Sequence, residues 1–120
     1  MPTVDLSWTL TAAVAGARLA DTQKLLASAT AKAVAAQGAG GLFPHWTQPA
    51  ARDRWRAHVG SFADQVYPLQ ALARLFAMSG DKAHLEASTT IADRLCALQG
   101  AAGQWWWHYD ARRGTVVEGY

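Results

Sequence analysis

A single cysteine, Cys96, stands among 120 residues, so no intrachain disulfide framework is open to this chain. It falls in an apolar stretch that reads as helix, where a free thiol behaves as a small hydrophobe, and a reducing compartment, the cytoplasm, is the expected setting. No uninterrupted apolar run approaches the ~20 residues needed to cross a bilayer, which excludes a transmembrane helix. The first twenty residues have an apolar middle and an Ala15-Gly16-Ala17 triplet like a signal-peptidase site, but the region before it carries Asp5 and no Lys or Arg, so export is not expected. Charge is sparse too: 11 Lys+Arg against 9 Asp+Glu give a net +2 with no run of five like charges, which speaks against a nucleic-acid partner. The one basic cluster, Arg52, Arg54, Arg56 and His58, reads as a solvated face, with phosphate binding as the alternative. What is plentiful is apolar: 51% hydrophobic content at a mean hydropathy of -0.05 places the chain in the globular class.

The apolar positions recur at helical spacing. Leu6, Leu10, Ala13, Val14 and Ala17 share one face behind Asp5, read as an N-cap; Leu25, Leu26, Ala29, Ala33 and Val34 follow a second cap at Asp21. This second helix runs to about Gln37, where Gly38, Gly40 and Gly41 stop it. Residues 42–61 read as a long connection, because Pro44 and Pro49 exclude regular helix early, although Ala50 to His58 has room for a short one. A third helix opens at Asp64 with Pro68 in its first turn, and continues through Leu69, Leu72, Leu75 and Phe76 to Ser79-Gly80. Asp81 caps a fourth, with Leu85, Ile91, Ala92, Leu95 and Leu98 as its apolar face and Gln99-Gly100 as its end. Beyond it, Gln104 to Tyr109, the turn Asp110 to Gly114, and Thr115 to Glu118 form a two-stranded ribbon pattern. Strand alternation sets Trp105, Trp107 and Tyr109 on one side and Trp106, His108 and Asp110 on the other.

Two stretches echo one another: Gln37-Gly-Ala-Gly-Gly41-Leu-Phe43 and Gln99-Gly-Ala-Ala-Gly103-Gln-Trp105 share the step of four from Gln to Gly and of two from Gly to an aromatic. Asp5 matches Asp64 and Asp21 matches Asp81, so the chain reads as two tandem units, about 4–61 and about 62–118. Each is a helical hairpin that cannot bury its apolar stripe alone and must stack on neighbours. The fold class expected is all-α, tandem hairpins with a short C-terminal β-hairpin. Because two units are few for such stacking and the chain stops after the ribbon, it is expected to be part of a longer toroid or solenoid, with apolar edges that promote aggregation or swapping when it is isolated.

The Gln99-to-Trp105 segment resembles the Gln-x-x-x-Gly-x-Trp half of the repeat motif of squalene and hopene cyclases, and Gln37 to Phe43 resembles its phenylalanine variant. The resemblance spans about residues 4–118, with seven motif-like positions in each unit. It implies the α/α toroid of terpenoid cyclases and protein prenyltransferase β subunits, and a small apolar substrate of isoprenoid type in an aromatic-lined cavity. The aromatic and Trp that open the cyclase motif are absent, since Arg94 and Leu95 stand there. The motif is structural: Gln bonds to free backbone at a helix end, Gly turns the chain, and the aromatic covers the amide. No catalytic residue carries over with it. The Asp-x-Asp-Asp and Asp-Asp-x-x-Asp patterns are missing, and Asp93 with Cys96 has the wrong spacing for the prenyltransferase zinc ligands. No cofactor and no metal are expected, and a zinc site from His45, His58, His84 and His108 has no ligand spacing behind it.

The candidate catalytic groups are Asp64, at the entrance of an inner helix, and His108 with Asp110, an imidazole and a carboxylate on one side of the ribbon that Glu118 is placed to join. Capping is the alternative for Asp64, and a polar ribbon edge for the pair. Trp106, Trp107 and Tyr109, with His45 and Trp46 in the matching loop of the first unit, are the candidate substrate contacts, and Tyr120 belongs to the same aromatic set. Trp105 and Gln99 are expected to hold the fold, with Trp105→Ala costing ~3 kcal/mol or more, while His108→Ala and Asp110→Asn should cost little stability. Aromatic faces also stack on sugar rings, so a carbohydrate-active toroid enzyme (a glycosidase, lyase or epimerase) is the second reading and a non-enzymatic repeat scaffold the third. The partner is either a small-molecule substrate or the rest of the toroid.

Overall fold

Four helices and a three-stranded antiparallel sheet make up the structure, a computed structural model that describes residues 1–19, 21–48 and 55–117. They run α1 (Thr3–Gly16), α2 (Gln23–Ala36), β1 (Val59–Ser61), α3 (Ala63–Ser79), α4 (Lys82–Leu98), β2 (His108–Asp110) and β3 (Thr115–Val116). The fold is thus mostly helical, as the periodicity predicts, but the expected ribbon is a sheet of order β1-β2-β3. The added strand, β1, arises within the stretch read as connection, where residues 55–58 form a turn rather than helix; residues 49–54 lie outside the description.

α1 packs on α2 and on α3, and α3 packs on α4, so the two hairpins stack through their first helices. Leu6 and Leu10 meet Ala29 and Ala33 of α2 and Ala71 and Leu75 of α3 in one apolar cluster. Leu72, Ile91 and Leu95 form a second cluster with Leu42, Phe43 and Tyr109, which sew the loop of the first unit and the ribbon of the second into one core. Trp8, Leu25, Val34 and Leu85 stay exposed on the helices, so Leu25, Val34 and Leu85 lie outside the buried faces to which their spacing assigns them. Cys96 is exposed as well, not the packed thiol expected.

Both units close with the same bonds. Gln37 Nε2 donates to the Gly41 carbonyl at 2.9 Å and Gln99 Nε2 to that of Gly103 at 2.7 Å. The Gly38 amide donates to Leu42 at 2.8 Å as Gly100 does to Gln104 at 3.0 Å, and the two reversing glycines have φ of 83° and 81°, where a β-carbon is strained. The start of each first helix is tied to its own unit's loop: the Thr3 amide donates to His45 and the Phe62 amide to Trp107. The bridge Pro2↔Trp46 recurs as the β1–β2 pair Ser61↔His108. The repeat read from Gln, Gly and aromatic spacing is therefore a repeat of backbone bonding.

The ends of the helices depart from expectation at three places. Asp5 does not cap α1, which begins at Thr3 after Pro2 and carries Asp5 in its first turn. Pro68 is the sixth residue of α3 and lies beyond its first turn. Asp21 precedes Thr22, the residue at the N-cap of α2, though its carboxylate still accepts from the Gln23 amide at 3.3 Å. Asp81 caps α4 as expected, accepting from the Ala83 amide at 3.0 Å.

The aromatic run divides differently from the alternation expected, because β2 covers only 108–110 and Trp105 to Trp107 precede the strand. Trp106, a candidate substrate contact, packs on the core cluster, donates from Nε1 to the Leu98 carbonyl at 2.8 Å, and donates its amide to the Tyr109 hydroxyl at 3.0 Å. Trp105 stacks on Phe62 with ring centroids 5.4 Å apart but leaves 41% of its surface in water. The order of importance reverses accordingly. Trp106→Ala is expected to cost about 2 kcal/mol, less than the ~3–5 kcal/mol of a fully buried tryptophan, and Trp105→Ala about 1 kcal/mol, the scale of one aromatic pair. Denaturant midpoints of the two variants check this, and a lower midpoint for the Trp105 variant would restore the expectation from the motif.

Candidate functional site

Asp64 is fully buried at the start of α3. Its surroundings follow from the short segment Ser61-Phe62-Ala63-Asp64, in which the first and fourth residues can satisfy each other's exposed amides. The Ser61 amide donates to Asp64 Oδ2 at 2.8 Å, and the Asp64 amide donates to Ser61 Oγ at 3.2 Å. The same hydroxyl donates to Oδ2 at 2.8 Å, so the serine is engaged with the carboxylate and does not address an imidazole as a nucleophile would. In the first unit Pro2 stands where Ser61 stands here and has no hydroxyl to offer, and Asp5, the match of Asp64, is exposed. Capping and site building thus coincide at Asp64.

The other unit supplies the ring that Asp64 holds. His45 Nδ1 lies 3.3 Å and 3.2 Å from the two carboxylate oxygens of Asp64. An ionised carboxylate only accepts, so Nδ1 carries the proton, and Nε2 of the neutral ring is the acceptor. With 49% of the His45 side chain exposed against none of Asp64, the pair presents an oriented imidazole to solvent from a buried carboxylate. Trp46 flanks the ring edge-on, centroids 5.1 Å apart.

His45 reaches this position because its loop is clamped from two sides. The His45 amide donates to the Val59 carbonyl at 2.9 Å. Gln65, fully buried, bonds to both backbone groups of Phe43: Oε1 accepts from the amide at 2.7 Å and Nε2 donates to the carbonyl at 2.8 Å. Gly60 lets the strand lie close, since a β-carbon there would stand 2.1 Å from the Phe43 oxygen and 2.8 Å from Gln65 Nε2.

These elements bound a cleft of about 600 Å³, lined among the described residues by His45, Trp46, Trp55, Arg56, Val59, Gly60, Ser61, Asp64 and His108. Of the candidates read from the sequence, His45, Trp46, Asp64 and His108 are brought together here, and Trp106, Trp107, Tyr109 and Asp110 are not among the lining residues. Trp107 is largely exposed beside the sheet. Ser61 and Trp55 line the cleft without having been singled out, the Ser-x-x-Asp spacing being the signal for Ser61, and Arg56 of the basic cluster lines it as well. Glu118 and Tyr120 lie outside the described residues. Among the described residues no group of three or more His, Cys, Asp or Glu could hold a metal ion.

Asp110 serves the turn. Its Oδ1 accepts from the amides of Arg112 at 2.8 Å and Arg113 at 3.0 Å, leading into Gly114 at φ 66°, and Oδ2 lies 3.7 Å from His58 Nε2. Asparagine, the replacement expected to be tolerated, keeps an oxygen that can take both amides, whereas alanine leaves them without it. Tyr109 faces the core on the opposite side of β2, and burial pushes its hydroxyl above the ordinary value of 10.0, opposed by the hydrogen bond from the Trp106 amide. Below pH 10 both folded and unfolded chains keep this proton, and the stability it underlies is whole. Above it the unfolded chain ionises first, so stability falls as pH rises through the folded value. Melting temperatures across the alkaline range are expected to fall more gently in Tyr109→Phe than in the parent, and parallel falls would show that other groups set the alkaline limit.

No family model, no curated protein and no solved structure matches this chain. Among the described residues no helix is long and apolar enough to cross a membrane.

Proposed function

We propose that the two hairpins belong to an α/α toroid whose cleft performs acid–base chemistry on a sugar-ring substrate, with His45 as the proton carrier and Asp64 as its positioning residue. One observation carries the reading: a buried carboxylate holds a half-exposed imidazole through Nδ1 in the lining of an open cleft that Trp46 and Trp55 share. With Nδ1–H held, Nε2 accepts a proton as a base and returns it as an acid, while Asp64 stabilises the imidazolium formed. Trp46 and Trp55 line the cleft as aromatic side chains of the kind that stack on pyranose rings, and His108 stands in the same lining as a second imidazole. The doubled closing bonds at Gln37–Gly41 and Gln99–Gly103 support the toroid.

The isoprenoid reading is the second, favoured by the same tryptophan faces together with the Arg56 guanidinium, which suits a diphosphate head. It ranks below because an apolar chain lying across imidazoles, a guanidinium and a hydroxyl strips them of water without replacing their hydrogen bonds, whereas sugar hydroxyls replace them. Tryptophan fluorescence titrations separate the readings. Saturable quenching by oligosaccharides, weakened in Trp46→Ala, is expected; His45→Ala should keep that binding and lose any turnover of the ligand found. Saturation by prenyl diphosphates alone would reverse the ranking, and indifference to both ligand classes would leave a repeat scaffold.

A further inference from the structure

We infer that this chain associates with copies of itself head to tail, the exposed closing loop of the second unit in one copy seating the outer face of α2 in the next; this rests on the toroid reading above and not on what the cleft binds. The molecule itself shows what belongs on such a loop, because its two closing loops share their bonding and differ in their surroundings. Residues 40–43 of the first are buried, and residues 102–105 of the second are exposed. α4 makes much of the difference. Gln37 Nε2 gives a second hydrogen bond, to the Ala87 carbonyl at 3.2 Å, and a β-carbon on Gly41 would stand 2.6 Å from Thr90 Cγ2. Among the described residues a β-carbon on Gly103 would meet nothing within 4 Å, and Trp105, which matches the fully buried Phe43, keeps an exposed indole.

The covering face occurs a second time in the chain, and there it is bare. Counted back from the closing glutamines, Ala87 and Thr90 of α4 fall on Leu25 and Ser28 of α2. Burial fixes this register, since the same count sets Ile91 and Leu95 on Ala29 and Ala33, and all four are buried. Leu25 and Ser28 are exposed. One chain therefore carries both sides of a contact that it already makes between its own units, each side uncovered at one end of the stack. Seated together, the Leu25 carbonyl offers Gln99 Nε2 the second lone pair that Ala87 gives Gln37, and Ser28 takes the place of Thr90 beside Gly103. Leu25 and Trp105 lose exposed apolar surface, which supplies the drive. The match is partial. Ala102 stands where Gly40 lets the turn at Gly114 approach, and Leu6 stands where Gln65 clamps Phe43, so the contact between copies is smaller than the one within the chain and is reversible. Because its two sides are different surfaces, it is heterologous and adds copies until a ring closes.

Sedimentation velocity of the full chain across a range of concentrations is the test. The parent's mass should rise with concentration, past that of a dimer or to the plateau of a closed ring. Leu25→Arg and Ala102→Arg each change an exposed side chain, one on either side of the contact, and circular dichroism with denaturant midpoints should show both folded as the parent is. Each should weaken association by about tenfold or more, since a charge without a partner enters an apolar seam. Mixed in equal amounts, the two variants should associate again but stop at a dimer, because each brings one intact side. That limited rescue separates a head-to-tail contact from a two-fold one, in which each variant would spoil its own half. A parent that stays monomeric at every concentration overturns the inference and leaves the loop to a further hairpin or an unrelated partner. Association that neither variant weakens, or a mixture no better than either variant alone, overturns it as well. The ligand titrations above are read on the monomeric variants too, so the carbohydrate reading stands or falls apart from this one.

Discussion

Replacing Asp64 with alanine is expected to lower the unfolding free energy by about 3 kcal/mol, the sum of a lost cap at ~1 kcal/mol and a buried donor left without its acceptor at ~1–3 kcal/mol. The carboxylate serves three donors at once, the Ser61 amide, the Ser61 hydroxyl and His45 Nδ1, and it sits where the positive end of α3 favours a negative charge. Alanine removes all of this while changing little volume, so the loss is polar and should appear as a lower denaturant midpoint with an unchanged slope. Asparagine keeps one acceptor oxygen but turns an NH₂ toward the same donors, and is expected to fall between. His45→Ala separates folding from positioning: the ring is half exposed and should cost little stability. A variant at Asp64 as stable as the parent would mean that α3 starts without this box, and the fixed imidazole would lose its anchor.

How much of this was open to reading depends on how many residues each feature spans. The paired closures at Gln37–Gly41 and Gln99–Gly103 were legible because each needs a side chain at one fixed offset and a glycine at φ near 80°, and both types stand out in a sequence. The same holds for the cap at Asp81 and the turn from Asp110 to Gly114. β1 was not legible, since three residues, Val59 to Ser61, are too few to display alternation, and their pairing with His108 to Asp110 joins positions almost fifty residues apart. His45, Trp46 and His108 were within reach as members of matching loops. That Asp64 meets His45 across the boundary between units was not, because the contact depends on how the hairpins stack and no local pattern encodes it. The Trp105 and Trp106 assignments went astray for a related reason: the motif names a position, but which indole reaches the Leu98 carbonyl is decided by where β2 begins.

Gln65 is the residue that sequence patterns conceal most completely, and Gln65→Met is expected to cost about 4 kcal/mol, from three backbone groups stranded at ~1–3 kcal/mol each. In the helical pattern it reads as one polar residue in a first turn. In the structure it is fully buried and acts as a strand's edge would, taking the Phe43 amide at 2.7 Å and giving to the carbonyls of Phe43 at 2.8 Å and Ser61 at 3.0 Å. Methionine matches its length and fills the space, so no cavity term enters and the loss measures the hydrogen bonds. Against a total of ~5–15 kcal/mol for a domain, such a loss leaves a marginal fold. The consequence reaches the cleft because Phe43 is two residues from His45: with its amide unclamped, the Phe43 amide should lose hydrogen-exchange protection before the core of α3 does, and the imidazole should lose its register with Asp64. Equilibrium unfolding and amide exchange of the methionine variant test both steps. A cost below 1 kcal/mol with Phe43 still protected would show that the loop is held by its apolar packing against Leu72 and Tyr109, and that Gln65 merely fills the space beside it.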